Sequence, residues 1–135
     1  MLYDKVLKYH DKSYDYNCAE TMLYAANDEY QINLSKQTMK SMAAFGGGMG
    51  IESVCGAITG SLAVLSIMFT IERGHESDRV KNLSIEFFQK FTNELGSDNC
   101  AILKQKYKRD DIGCNIMLEA AANILEEIVL REQSL

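Results

Sequence analysis

The chain contains no proline and no tryptophan, only two histidines, and fewer basic than acidic residues. Each shortage removes a class of protein. Without proline there is no polyproline linker or collagen-like repeat, and nothing to break helices internally. Two isolated histidines, His10 and His75, are too few for a histidine-rich metal site. A net charge of -5 argues against duplex nucleic acid as a partner, because phosphate recognition needs clustered lysine and arginine. The densest basic cluster, Lys104 to Arg109, runs straight into Asp110 and Asp111 and reads as a solvated turn. The N-terminal residues lack the basic run and apolar stretch of a signal peptide, so a cytoplasmic location is expected. The one segment that could be mistaken for a membrane span, Cys55 to Ile71, is seventeen residues without a charge. That is the lower limit for crossing a bilayer, and its glycines, serines and threonines favour a buried helix over a transmembrane segment.

What remains is 135 residues, 47% apolar and 24% charged, the size and balance of one globular domain with one core, taken here as residues 1-135. Apolar residues recur with a helical period throughout, and no strand pattern competes. The expected fold is all-α, a single-domain bundle of about six to seven helices around a central apolar helix. The first helix is placed over Leu2 to Lys12, with Leu2, Val6, Leu7 and His10 on one side. The second starts at Asn17, where Asn17 and Glu20 form a capping-box variant, and ends near Tyr30. The third starts at Ser35 and runs through Met42 and Ala43 to the glycines. The fourth, Ser53 to Glu72, is apolar nearly all round and is expected at the centre. The fifth carries Val80, Leu83, Phe87, Phe88, Phe91 and Leu95 and stops at Gly96. A short sixth covers Asn99 to about Lys106, and the seventh runs from Asp111 or Ile112 to Arg131.

The chemistry of the chain concentrates in four cysteines. Each follows a helix-start signal: Cys18 after Asn17, Cys55 after Ser53, Cys100 after Asn99, Cys114 after Asp110 and Asp111. In a first helical turn, free backbone N–H groups and the positive end of the helix dipole stabilise a thiolate. Beside Cys55 stands a glycine-rich approach, Gly46, Gly47, Gly48 and Gly50, followed by Gly56 and Gly60 on one helix face. A phosphate loop would carry Lys and Ser or Thr there, so nucleotide binding is not indicated. The glycines instead suggest close packing, or room beside Cys55 for a sulfur, metal or substrate.

These residues resemble a known family, the small redox-active proteins named for the pattern C_GCAxxG_C_C. Cys55, Gly56, Ala57, Ile58, Thr59 and Gly60 match its CGAxxG motif, although the label writes the first three letters as G-C-A. Asn17–Cys18–Ala19 is similar to its first cysteine site, Asn99–Cys100 to the third and Gly113–Cys114 to the fourth, and Phe45 to Gly50 resembles its approach to the motif. The resemblance covers nearly the whole chain and implies a redox role, without a substrate.

Three functions are therefore expected in order. The first is thiol–disulfide or related electron transfer, with Cys55 attacking and one of Cys18, Cys100 or Cys114 resolving. No C-x-x-C pair is present, and the pairing of the cysteines stays open. The second is a metal ion or iron–sulfur cluster held by Cys18, Cys55, Cys100 and Cys114, although intervals of 37, 45 and 14 residues do not resemble paired-ligand metal motifs. The third is a non-enzymatic interaction module with an adaptable methionine surface. The partners left open are a redox protein, a small thiol and a second copy of the chain. Glu20 and Glu72 read as caps or surface charges, while Glu52, if close to Cys55, would oppose its ionisation.

Overall fold

A computed structural model describes residues 1–135. Seven α-helices follow one another: α1 Leu2–His10, α2 Cys18–Tyr30, α3 Lys36–Lys40, α4 Gly56–Phe69, α5 Arg79–Leu95, α6 Cys100–Tyr107 and α7 Asn115–Gln133. An irregular turn, Gly48–Glu52, with Gly48, Met49, Gly50 and Glu52 at positive φ, precedes α4, and a 3-10 turn, Gly74–Glu76, precedes α5. There are no strands, only two isolated antiparallel bridges, Val54 with Asn99 and Arg109 with Gly113.

Local chemistry sets the helix ends. Asn17 and Glu20 close a reciprocal capping box on α2: the Asn17 side chain accepts from the Glu20 N–H at 2.8 Å, and Glu20 accepts from the Asn17 N–H at 2.9 Å. Ser35 caps α3 and Asn99 caps α6 in the same one-sided way. Gly96, with φ 86, ends α5 as expected.

Several helix boundaries differ from the sequence expectation, those of α4, α7 and α3 by three residues or more. Helix α4 begins at Gly56, not Ser53, because Val54 is engaged in the bridge to Asn99 and Cys55 is not helical. It ends at Phe69 because the next amides, those of Ile71, Glu72 and Arg73, donate to the Glu76 carboxylate. Helix α7 begins at Asn115 because Arg109 and Gly113 exchange two backbone hydrogen bonds, which folds the preceding segment into a small loop. Helix α3 is short, but tight turns continue its path and bury Met42.

One core of 29 buried residues joins the helices. Helix α4 buries Ala57, Ile58, Val64, Leu65 and Phe69 against α2, α5 and α7, while Leu62, Ala63, Ile67 and Met68 stay half-buried on its outer side. The centre is therefore shared. Helix α2 buries Ala19, Met22, Leu23, Ala25 and Ala26 completely, and α7 buries an arc from Met117 to Val129. Helix α5 contributes the expected stripe of Leu83, Phe87, Phe91 and Leu95, with Val80 and Phe88 half-buried. Leu7, expected on the inner side of α1, is exposed.

Between α1 and α2 the chain has little regular structure and is held by four tyrosines. Tyr16 stacks on Tyr24 at 4.2 Å between ring centres, and Tyr14 and Tyr9 complete the group.

On the surface, Arg131 of α7 grips Glu86 of α5 with both guanidinium nitrogens, at 2.7 and 2.8 Å, and Lys90 joins at 2.8 Å. Arg131 in particular holds the Glu86 carboxyl down to about 2. A depressed carboxylate contributes stability that is present above its unfolded value and lost as pH falls through the folded one. Glu86→Gln should therefore lower stability at neutral pH, by about 1 kcal/mol after solvent screening. Denaturant titration should show the difference from wild type shrinking between pH 4.5 and 2.

Candidate functional site: four cysteines at four helix starts

Cys18 and Cys100 are the first residues of α2 and α6, while Cys55 and Cys114 stand in the cap position just before α4 and α7. The expected association of every cysteine with a helix start holds, with two of the four one residue outside the helix. The fold brings the four starts together, and each sulfur lies within electrostatic reach of the other three.

Two devices cause the convergence. The first is the bridge: the Cys55 N–H donates to the Asp98 carbonyl at 2.9 Å and the Cys100 N–H to the Ser53 carbonyl at 2.5 Å, so the residues leading into α4 and α6 run side by side. The second is the set of glycines. A methyl group at Gly56 would stand 3.1 Å from the Cβ of Cys18, and one at Gly48 would stand 2.8 Å from the Cβ of Cys100. At Gly60 a methyl group would meet the Ala19 carbonyl oxygen at 2.5 Å, so α2 and α4 cross there in backbone contact. The absent side chains are thus occupied by the cysteine stems and by α2, and they leave no separate cavity beside Cys55. Gly46 is filled by the Asn17 side chain, whose amide also donates to the Ala43 carbonyl at 3.1 Å and so ties the start of α2 to the glycine segment. Gly47 and Gly50 face open space at positive φ, which is a turn requirement.

The four thiols differ sharply. Cys55 and Cys100 are buried, at 4% and 5% exposure, whereas Cys18 and Cys114 are half-buried. Burial pushes Cys55 up to about 11, although the amides of Ala57 and Ile58 oppose the rise. Burial also raises Cys100, against the pull of Lys104. The Cys18 thiol shares its proton with Cys114, which raises Cys18 well above the usual thiol range and brings Cys114 down to about 6. Lys108 and Lys104 add to the fall at Cys114, and burial works against it. Cys114 is therefore the group predisposed to ionise, because Cys18 and the nearby Lys108 and Lys104 favour its anion.

The sequence reading missed Lys104 and Lys108. Their spacing of four along α6 and its end was legible as one helix face, but nothing local connected that face to a cysteine ten and six residues further on. Replacing Lys108 with Gln should raise the Cys114 titration midpoint in a pH-dependent alkylation assay, and by less in high salt. Glu52 pairs with Lys104 at 3.6 Å and acts on Cys100, not on Cys55 as expected. His10 is half-buried and pushed down by burial, and it borders Gly113 in a cleft of about 520 Å³ that also meets Asp110, Ile112 and Asn115. His75 is exposed.

No three His, Cys, Asp or Glu side chains are arranged to hold a metal ion. The cysteine arrangement as it stands does not fit a metal ion or cluster. No helix is long and apolar enough to cross a membrane.

An all-α bundle that gathers four free cysteines at the starts of four helices defines a class of thiol-bearing helical protein, distinct from the strand-and-helix scaffold of thioredoxins. The chain belongs to the family described as "Putative redox-active protein (C_GCAxxG_C_C)", whose model matches residues 16–128. A redox role follows from that membership. No curated protein and no solved structure shows significant similarity to the chain.

Proposed function

We propose that the protein performs thiol–disulfide exchange through Cys114 and Cys18 in a reducing, cytoplasmic setting. The observation that carries this reading is that Cys18 and Cys114 are the two half-buried thiols of the four, the other two being buried, with Cys114 brought down to about 6 by Cys18 and the nearby Lys108 and Lys104. The Cys114 thiolate attacks one sulfur of an external disulfide, forming a mixed disulfide and expelling the other half as a thiolate. Cys18 then gives up its proton and attacks the Cys114 sulfur, which releases the second half. One external disulfide becomes two thiols, and Cys18 and Cys114 become one disulfide. The proton of Cys18 passes to one departing thiolate and solvent protonates the other, both being more basic than Cys114. The earlier expectation of Cys55 as the external nucleophile is set aside, because at 4% exposure its sulfur is not accessible to a second molecule.

A four-thiolate metal site is the second reading, favoured only by the mutual reach of the sulfurs. It requires the side chains to draw closer than they stand.

The test uses the reduced full chain and a neutral disulfide, bis(2-hydroxyethyl) disulfide. A non-reduced digest analysed by mass spectrometry should contain a Cys18–Cys114 link, and a Cys18→Ala variant should accumulate the mixed disulfide on Cys114. Modification of neither residue would defeat the reading. Stoichiometric metal in the purified protein, released by thiol alkylation, would replace it with the second.

A further inference from the structure

We infer that the site selects small disulfides carrying a carboxylate a few bonds from sulfur, and that Lys108, assisted by Lys104, is the residue that reads this charge. The inference rests on Cys114 as the thiol that meets the external disulfide, and it names the class of substrate for that same site.

The placement of Lys108 comes from the backbone. Arg109 and Gly113 form an antiparallel bridge, the Arg109 N–H donating to the Gly113 carbonyl at 3.1 Å and the Gly113 N–H to the Arg109 carbonyl at 2.6 Å. In an antiparallel pair the two residues just outside such a bridge stand opposite one another. Here they are Lys108 and Cys114, at the neck of the loop. Lys104 lies one turn earlier, and the Lys108 N–H donates to its carbonyl at 3.0 Å, so the two lysines occupy neighbouring positions on one helix face. Both pull the Cys114 thiol downward, in keeping with that placement.

Charges of the opposite sign are turned elsewhere. Asp110 and Asp111, at the tip of the loop, line the cleft of about 520 Å³ together with His10, Asp11 and Lys12. Glu52 reaches Lys104 at 3.6 Å, which leaves Lys108 as an exposed ammonium without an ion-pair partner. Lys106 faces another way, over the Tyr107 ring at 5.3 Å and beside Gly96 at the end of α5. A chain with a net charge of -5 therefore sets a free cation beside a half-buried, ionisable sulfur.

A cation in that place acts on an incoming disulfide in a defined way. A carboxylate near the scissile bond pairs with Lys108 on approach and brings the nearer sulfur to Cys114. The Cys114 thiolate bonds to that sulfur, the disulfide bond breaks, and the other half leaves as a thiolate that takes a proton from solvent. One unit charge at about 7 Å in water-like surroundings is worth a factor of about three, so anionic and cationic disulfides should differ by about five- to ten-fold.

The test measures reduction of 3,3′-dithiodipropionate, bis(2-hydroxyethyl) disulfide and cystamine by the reduced full chain at neutral pH and low salt. Each rate is divided by that of the same disulfide with 2-mercaptoethanol, which removes differences in intrinsic reactivity. The expected order is anion, neutral, cation, with the spread collapsing at about 1 M salt. Lys108→Gln should lower the anion-to-neutral ratio by about three-fold. That ratio is insensitive to the altered ionisation of Cys114 in the same variant, because ionisation scales all three rates alike. Lys106→Gln removes an equal charge from another face of α6 and should leave the ratio as it is. Equal normalised rates for the three disulfides overturn the inference, as does a ratio that falls equally in the two variants. Preference for cystamine also overturns it, and would put the substrate in the acidic cleft instead. If the neutral disulfide leaves Cys114 unmodified, the entry thiol itself is misassigned, a failure separate from any charge preference.

Discussion

Iodoacetamide is expected to modify Cys114 first, with a rate that rises through a midpoint near pH 6, while Cys55 in the folded protein reacts far more slowly. The size of the difference follows from two opposing effects. At pH 7 a thiol that titrates at about 6 is mostly anion, whereas one at about 11 is ionised in roughly one molecule in 10⁴. A less basic thiolate is intrinsically a poorer nucleophile, and a Brønsted slope of about 0.4–0.5 returns roughly two of those four decades. The remaining advantage of Cys114 is on the order of 10², before the enclosure of Cys55 is counted. Cys114→Ser should abolish the fast phase. Cys18→Ala should move the midpoint upward, because the Cys18 thiol is the main cause of the depression. Fast modification of Cys55 in place of Cys114 would reverse the assignment.

Gly60→Ala should be among the most destabilising single-atom additions in the protein. The new methyl group would stand 2.5 Å from the Ala19 carbonyl oxygen and 2.8 Å from the Ala19 Cα, which are backbone atoms that cannot turn away. Helices α2 and α4 would have to separate along their closest line of approach. Overpacking of this kind costs about 3 kcal/mol, and the better helix propensity of alanine offsets about 1 kcal/mol. A net loss of about 2 kcal/mol in a chain of this size corresponds to roughly 8 °C in Tm, readable by circular dichroism. Gly47→Ala provides the contrast. Nothing lies within 4 Å of its added methyl group, so only the positive φ resists, at about 1 kcal/mol. Equal losses at both positions would mean that the α2–α4 contact is looser than described.

How far these features could be read from the sequence depended on the range of the interaction responsible. The end of α5 at Gly96 and the capping box of α2 were legible, because the groups that satisfy the backbone lie within a few residues. The start of α4 was not, because Asn99, the partner that keeps Val54 out of the helix, lies 45 residues away in sequence. The start of α7 was misplaced for a shorter-range version of the same reason, the backbone pairing of Arg109 with Gly113. At the site, the residue pattern placed all four cysteines at helix starts and marked the glycines as points of close approach. It ranked Cys55 first, on its small glycine neighbours. Helix-start position favours ionisation at all four alike, and the observed ranking comes from burial, from the Cys18 proton and from Lys104 and Lys108, all set by tertiary packing.

The stacked group of Tyr9, Tyr14, Tyr16 and Tyr24 gives the protein an optical handle. Because the chain has no tryptophan, its near-ultraviolet bands arise mainly from seven tyrosines, and four of them crowd the loop that delivers Cys18 into α2. Tyr16 stands only two residues before that cysteine. Any rotation of the loop during sulfur chemistry would alter the coupling between these rings, so spectra recorded without a label or an added fluorophore can follow the site in real time.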